Sequence, residues 1–246
     1  MTPTIDKIQA LLERLRLPGL KMALAEELAL TQKTGCALSE SLLRLLAAEQ
    51  AHRQQRSMLY RLTQAKLPFD WSLESFPFKK QPAVNKKQIM DLAQLDFVEN
   101  TRNIVFIGEP GTGKTGLAIG LLRKALIAGY RGRFYNAQSL IDELYSSLAD
   151  RSTNRLINCL CRYDLLVIDE LGYLTLKPEQ INAFFKLMAQ RYLKKATIIT
   201  TNLDYENWYE LFASKPLVDA LLDRLNHHCV TIKINGSSLR SPVHQK

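Results

Sequence analysis

Asn103-Ile104-Val105-Phe106-Ile107-Gly108-Glu109-Pro110-Gly111-Thr112-Gly113-Lys114-Thr115 decides the fold of this chain. Asn103 to Ile107 reads as a buried strand, Gly108 to Thr115 fits the phosphate-loop pattern G-x-x-x-x-G-K-[ST], and Gly116 to Ala128 reads as the helix that follows. Such a loop holds a nucleoside triphosphate through successive backbone N–H groups that the glycines leave uncovered, and the helix N-terminus adds positive potential. Lys114 then reaches the β- and γ-phosphates, and the Thr115 hydroxyl is a ligand for Mg²⁺.

Fifty residues after Lys114 begins Asp164-Leu165-Leu166-Val167-Ile168-Asp169-Glu170, an apolar strand ending in two carboxylates. A strand buried on both faces reads as a continuous apolar run, and its carboxyl end faces the ligand crevice of an open α/β sheet. Asp169 is placed to complete the Mg²⁺ shell, and Glu170 to orient and deprotonate an attacking water, although on its own Glu170 would serve equally as the cap of a turn. Thr200-Thr201-Asn202 ends another strand at the same crevice, so the Asn202 amide can hold that water or sense the γ-phosphate; a plain turn is the other reading. Arg224, in Leu222-Asp223-Arg224-Leu225, lies beyond the core, where an arginine offered to a neighbour's γ-phosphate neutralises transition-state charge; a solvated helical arginine would look the same.

At 246 residues and 46% hydrophobic content, the chain suits one α/β domain with a smaller appendage and excludes a disordered protein. It contains no apolar window of about 18 residues, and Asp6, Lys7, Glu13 and Arg14 already interrupt the N-terminus, so a cytoplasmic protein without a membrane anchor is expected. Cys36, Cys159, Cys161 and Cys229 include one C-x-C, which is no common zinc spacing; four reduced structural thiols are expected. The net charge of +9 points to a polyanion partner. Arg61, Lys66, Lys79, Lys80, Lys86 and Lys87 face only Asp70 and Glu74 within residues 61–90, which makes that stretch either a nucleic-acid contact or a solvated surface.

Residues 1–66 read as an all-helical N-terminal domain. Ile8, Leu11, Leu12 and Leu15 recur at helical spacing, Pro18-Gly19 breaks the run, and a second apolar run extends from Leu20 to Leu30. Ser39 is a candidate cap for a longer helix with apolar positions Leu42, Leu43, Leu46, Tyr60 and Leu62, stopped by Pro68, and its polar middle from Glu49 to Arg56 calls for solvent or a partner. Residues 67–100, with Pro68, Pro77, Pro82, Phe69, Trp71, Phe76 and Phe78, read as a linker that packs onto the next domain.

From residue 101 to 246 strands and helices alternate as in an α/β domain with a parallel sheet flanked by helices. Arg133 to Asn136 is a second strand, Ala137 to Ala149 a helix, and a further helix ends near Cys161. Pro178 opens a helix to Leu193 with Thr175 a candidate cap, and Ala196 to Thr200 is a fourth strand. One strand between the lysine loop and the Asp-Glu strand is the order expected when those two strands are not sheet neighbours, as in additional-strand ATPases.

With these motifs together, the chain resembles an AAA+ P-loop ATPase of the DnaC/IstB kind, and more closely the IstB family of ATP-binding helpers in insertion-sequence transposition. The resemblance covers nearly the whole length and is carried by Leu17-Pro18-Gly19-Leu20-Lys21, Ala65-Lys66-Leu67-Pro68, Gly108 to Leu117, Arg162 to Tyr173, Asp223-Arg224-Leu225 with His227-His228, and Gly236 to Arg240. Gly116 departs from it, since the family commonly has His after the Lys-Thr pair. The resemblance implies that Arg224 is an arginine finger acting across a subunit boundary and Arg240 the second sensor arginine. It also implies ATP and Mg²⁺ as cofactors, self-association into a ring or helical filament on double-stranded DNA without sequence preference, remodelling of the duplex, and recruitment of a transposase. The chemistry expected of the chain itself is ATP hydrolysis, with no nuclease site. A DnaC-like replicative helicase loader shares the same core, and a small-molecule P-loop kinase is disfavoured by Asp-Glu followed by Thr-Thr-Asn, which points to water as acceptor.

Overall fold

The computed structural model describes residues 3–240 other than Tyr173, Thr175 and Ala213, and the backbone alone of Leu225 and Asn226. It divides into two compact units, residues 1–60 and 61–246. Residues 61–66, read from the sequence as the end of the helical domain, therefore fall in the second unit. Ala65 is fully buried there, its carbonyl accepts from the Phe134 N–H, and the Gln64 carbonyl accepts from Arg133 Nη1 at 2.6 Å.

The first unit is built from α1 (Pro3–Arg14), α2 (Pro18–Thr34) and most of α3 (Leu38–Gln64). Pro18 opens α2 at a position where a missing N–H costs nothing, and Gly35 ends it in the left-handed conformation at φ 63°. Ser39 lies inside α3, which starts at Leu38, so it does not stand at the expected cap position. Leu12, Leu20 and Leu24 form the buried apolar centre. The apolar positions read on α3 do not: Leu42, Leu43 and Leu46 are 51%, 69% and 52% exposed. Helix α3 instead turns polar residues inward. Buried Glu49 accepts from the Leu20 N–H at 3.1 Å, satisfying a free donor of the first turn of α2, and Arg53 holds its other oxygen at 2.7 Å. Gly19 lets the two helices close, since a Cβ there would sit 2.7 Å from Glu49 Cα.

The second unit centres on a five-stranded parallel sheet of β1 (Asn103–Gly108), β2 (Gly132–Asn136), β3 (Leu165–Asp169), β4 (Ala196–Thr201) and β5 (Cys229–Ile234), in the order β2-β3-β4-β1-β5. Strand β4 separates the loop strand from the Asp-Glu strand, as the sequence order implied. Strand β5 was not among the strands read from the sequence.

Alternation along each strand feeds two cores. Ile104 and Phe106 of β1 join a core with α6 (Lys114–Ala128), α4 (Lys86–Leu92), α5 (Asp96–Glu99) and the segment around Leu73 and Phe76. Val105 and Ile107 join the opposite core with α7 (Ala137–Ala149), α8 (Thr153–Leu160), α9 (Pro178–Arg191), α10 (Trp208–Phe212) and α11 (Lys215–His227). Helix α9 begins on Pro178 with Lys177 at its cap position, and Thr175 lies outside the described residues.

Arg191 staples the segment before β3 to the amino end of β4, the end of the sheet remote from the phosphate loop. It is 1% exposed and donates to the carbonyls of Leu160, Tyr163 and Ala196 and to the Thr197 hydroxyl. Burial lowers its guanidinium to about 10, which still leaves it charged at neutral pH. Cys36, Cys159, Cys161 and Cys229 are free thiols, and no described helix is long and apolar enough to cross a membrane.

Candidate active site

Parallel strands bring the carboxyl ends of β1, β3 and β4 to one edge of the sheet, and a cavity of about 300 Å³ opens there. Pro110, Gly111, Gly113, Lys114 and Thr115 line it together with Glu170, Thr201, Asn202 and Arg240. Gly111 and Gly113 stand at φ 83° and 99°, a region that L side chains rarely adopt, which explains glycine at both positions. Thr112 is fully buried with its hydroxyl on the Glu109 carbonyl at 2.8 Å, and Gly108 is held in the β1–β5 ladder, so the loop is fixed at both ends. Lys114 folds over the loop onto the carbonyls of Gly108 and Glu109, at 2.6 and 2.9 Å. Burial lowers its affinity for a proton, partly offset by the carboxylates of Asp169, Glu109 and Glu170.

The Thr115 hydroxyl donates to Asp169 at 2.9 Å, so the two groups expected around Mg²⁺ already touch. Asp169 is 5% exposed. Burial raises its carboxyl above the usual range against the pull of two hydroxyl donors, Thr200 at 2.6 Å and Thr115. Two hydroxyls and a buried carboxylate without an arginine or lysine bonded to it form a hard oxygen set that fits a magnesium ion. Glu170 sits at φ 63°, an uncommon conformation for a non-glycine residue, which turns its side chain to the cavity. Its N–H is held by Thr200 Oγ1 at 2.9 Å.

Asn202 presents a buried Oδ1 that has no hydrogen-bond partner among the described residues, beside Gly172, where any Cβ would collide with it. An amide with an unmet acceptor at the cavity wall suits a polar ligand or water. Arg240 is carried on an extended segment pinned to the loop. The Leu239 N–H donates to the Gly111 carbonyl at 2.8 Å, and Gln81 Nε2 bridges the carbonyls of Thr112 and Ser237. Arg224 is not in the cavity: on α11 its Nη1 returns to the Ala220 carbonyl of the same helix at 3.0 Å.

Among the basic residues of 61–90, Lys66, Lys79, Lys80, Lys86 and Lys87 are exposed, and Lys86 lies 5.6 Å over the Phe78 ring. Arg61 is partly buried and donates to the Leu126 carbonyl at 2.8 Å, near the end of α6. The sequence reading placed Asn136 and Thr200 at strand ends but gave neither a role at the site. Asn136 donates to Glu170 Oε2 at 3.1 Å while its Oδ1 caps α7 through the Gln138 N–H, and Thr200 ties Glu170 to Asp169. The signal was available for Asn136, since it ends β2 at the crevice just as Asn202 follows β4.

Residues 10–246 match the family described as IstB-like ATP binding protein. The chain is similar to a protein named as the ATP-binding protein of insertion sequence IS21 from Pseudomonas aeruginosa, 38% identical over 96% of this chain and 89% of that one. In three dimensions it is similar to the DnaC helicase loader, with TM-score 0.51 and 22% identity over 61% of this chain and 88% of the other. It is also similar to the replication initiator DnaA bound to AMPPCP and single-stranded DNA, with TM-score 0.58 and 21% identity over 69% and 51%. These likenesses show the AAA+ fold.

Proposed function

The chain belongs to the family of IstB-like ATP binding proteins, and on that premise we propose that it hydrolyses ATP to ADP and phosphate, assembles on double-stranded DNA and recruits a partner transposase. The observation that carries the catalytic part is that Glu170, Lys114 and Thr115 line one cavity, with Asp169 bonded to Thr115. Lys114 neutralises the β- and γ-phosphates. Thr115 and Asp169 would hold Mg²⁺, which supplies charge neutralisation at the phosphate oxygens when bound. Glu170 takes a proton from the water whose oxygen attacks the γ-phosphorus as its bond to the bridging oxygen breaks, and Asn202 fixes that water.

Arg240 meets the phosphates from within the chain, whereas Arg224, directed to its own helix, serves the cavity of a neighbouring copy. That arrangement makes self-association into a ring or helical filament part of the catalytic unit. The net charge of +9 and the exposed lysines from Lys66 to Lys87 support DNA contact through phosphates, without base reading, in the cytoplasm. The family match spans the N-terminal helices as well as the ATPase unit, which favours the insertion-sequence role over helicase loading.

The test images the full chain with ATP and duplex DNA by negative stain while ATP turnover is measured. Ordered assemblies on DNA are expected, with DNA binding that falls steeply between about 50 and 200 mM salt. Monomers under all conditions, or a flat salt dependence, would contradict the reading.

A further inference from the structure

The phosphate loop and the segment after β5 lie close enough that two glycines are needed between them. A Cβ at Gly111 would stand 2.1 Å from Ser238 Oγ, and one at Gly236 1.7 Å from Gln81 Oε1. Across this contact the Leu239 N–H donates to the Gly111 carbonyl, and the Ser238 hydroxyl accepts from the Arg240 N–H at 3.1 Å. The backbone that carries Arg240 is thus seated on the loop.

Gln81 closes the arrangement from a third place in the chain. It is fully buried, its N–H donates to the Pro77 carbonyl at 3.2 Å, and its own carbonyl accepts from the Val84 N–H at 3.1 Å. Its Nε2 donates at once to the Thr112 carbonyl at 3.3 Å and the Ser237 carbonyl at 2.9 Å. These acceptors are 31 and 156 residues away, so the bonds serve no local turn. A primary amide is a neutral side chain with two donors on one atom, which suits it to join two carbonyls. Its Oε1 meanwhile is buried with no partner among the described residues, a cost that an apolar side chain of similar volume would not carry. Filling space therefore does not account for an amide here.

The bridge bears on the cavity through Arg240, which lines it together with Lys114. After burial, the larger cause, the Arg240 charge also opposes protonation of Lys114, so the two cations share one region and repel until an anion lies between them. We propose that Gln81 is a positioning residue of the nucleotide site: its paired hydrogen bonds hold the segment of Arg240 against the phosphate loop, so that Arg240 meets the phosphates of ATP already ordered. The proposal rests on the ATP-binding reading of the cavity. It adds that the segment before β1 governs the affinity that Arg240 supplies, because a group ordered in advance loses less entropy on binding.

The test has two parts, both on the full chain. Without nucleotide, amide exchange of residues 236–240 is compared between the native chain and Gln81→Met, which fills similar space and removes the donors. Exchange there should be about fivefold faster in the variant, the worth of one neutral hydrogen bond, with β1 unchanged. Equilibrium dialysis with radiolabelled ATP then compares Gln81→Met, Arg240→Ala and the double variant. Arg240→Ala should bind about 10-fold more weakly, the worth of a hydrogen bond to a charged group, and Gln81→Met about fivefold. The double variant should stay within about twofold of Arg240→Ala, since the bridge acts through that arginine. Should Gln81→Met fail to fold, Gly236→Ala drives a methyl onto the amide and should give the same faster exchange and the same lack of additivity. The proposal is overturned if residues 236–240 exchange no faster in the variant, if its ATP affinity falls by less than about twofold, or if the double variant loses the product of the two single losses. Equal ATP affinity in Arg240→Ala and the native chain would overturn the role of Arg240, and absence of ATP binding to the native chain the parent reading; the proposal falls with either.

Discussion

The ATPase unit buries both faces of its sheet, with Ile104 and Phe106 on one side and Val105 and Ile107 on the other. The helical unit, among its described residues, buries Leu12, Leu20 and Leu24 and leaves Leu38, Leu43 and Tyr60 at 83%, 69% and 66% exposure. Apolar burial therefore dominates the first case. Polar anchors carry more weight in the second, where Glu27 is held by Arg44 through both carboxylate oxygens and Glu49 accepts from the start of α2. In the larger unit Arg224 lies outside the cavity, and the proposed function assigns it to the cavity of a neighbouring copy.

That proposed division of the site between copies yields the largest expected effect. Arg224→Ala and Glu170→Gln should each be nearly inactive alone, because an arginine supplied across an interface is worth about 10³–10⁵ in rate in the cases where it has been measured. Mixed, they should regain activity at interfaces that retain both residues. A mixture that assembles and stays inactive would make Arg224 a residue of its own helix.

The contrast in packing predicts a smaller difference in stability. Phe106→Ala removes a fully buried ring from the centre of the sheet and should cost about 3–5 kcal/mol in urea unfolding. Leu24→Ala, in a centre of three leucines able to collapse around the gap, should cost about 2 kcal/mol. Equal losses would show that the helical unit is packed as tightly as the sheet.

Acid should separate the units more gently. Arg44 beside Glu27 holds its carboxyl below the usual carboxylate range. Burial pushes Glu49 up, but Arg53 and the N–H groups of Leu20 and Gly19 outweigh it and leave it lowered as well. A folded pKa below the unfolded one stabilises the fold above the ordinary carboxylate range, and that stability is lost as pH falls through the folded value. Asp169 shifts the other way, so its protonation does not unfold the ATPase unit, although it removes the carboxylate proposed for Mg²⁺. Glu74 beside Lys124 and, against burial, Asp164 beside Lys195 are lowered in the ATPase unit as well, so both units lose stability on acidification, and amide exchange should show residues 3–60, with the smaller apolar core, opening first. Simultaneous opening of both units would contradict this.

The parts legible in the sequence were those in which one residue type answers one local demand. Gly111 and Gly113 meet a positive φ, Asp169 and Glu170 end an apolar run, and Asn202 follows a strand at the crevice. Less legible were features set by partners distant in sequence. The inward face of α3 carries Glu49, which reaches Leu20, and Leu45, which packs on the leucine centre, so periodicity alone misassigned Leu42, Leu43 and Leu46. Strand β5 is made by pairing with β1, although its alternation of Val230, Ile232 and Ile234 was present to be read. The tie between Asn136 and Glu170 joins residues 34 apart and exists only because β2 and β3 are neighbours.

A nucleotide titration coupled to a turnover assay tests the central claim, that this cavity binds and hydrolyses ATP. Lys114→Ala should lose ATP binding, whereas Glu170→Gln should keep it and lose turnover by about 10²–10⁴, the worth of a general base. Equal ATP affinity in Lys114→Ala and the native chain, or undiminished turnover in Glu170→Gln, would contradict the account.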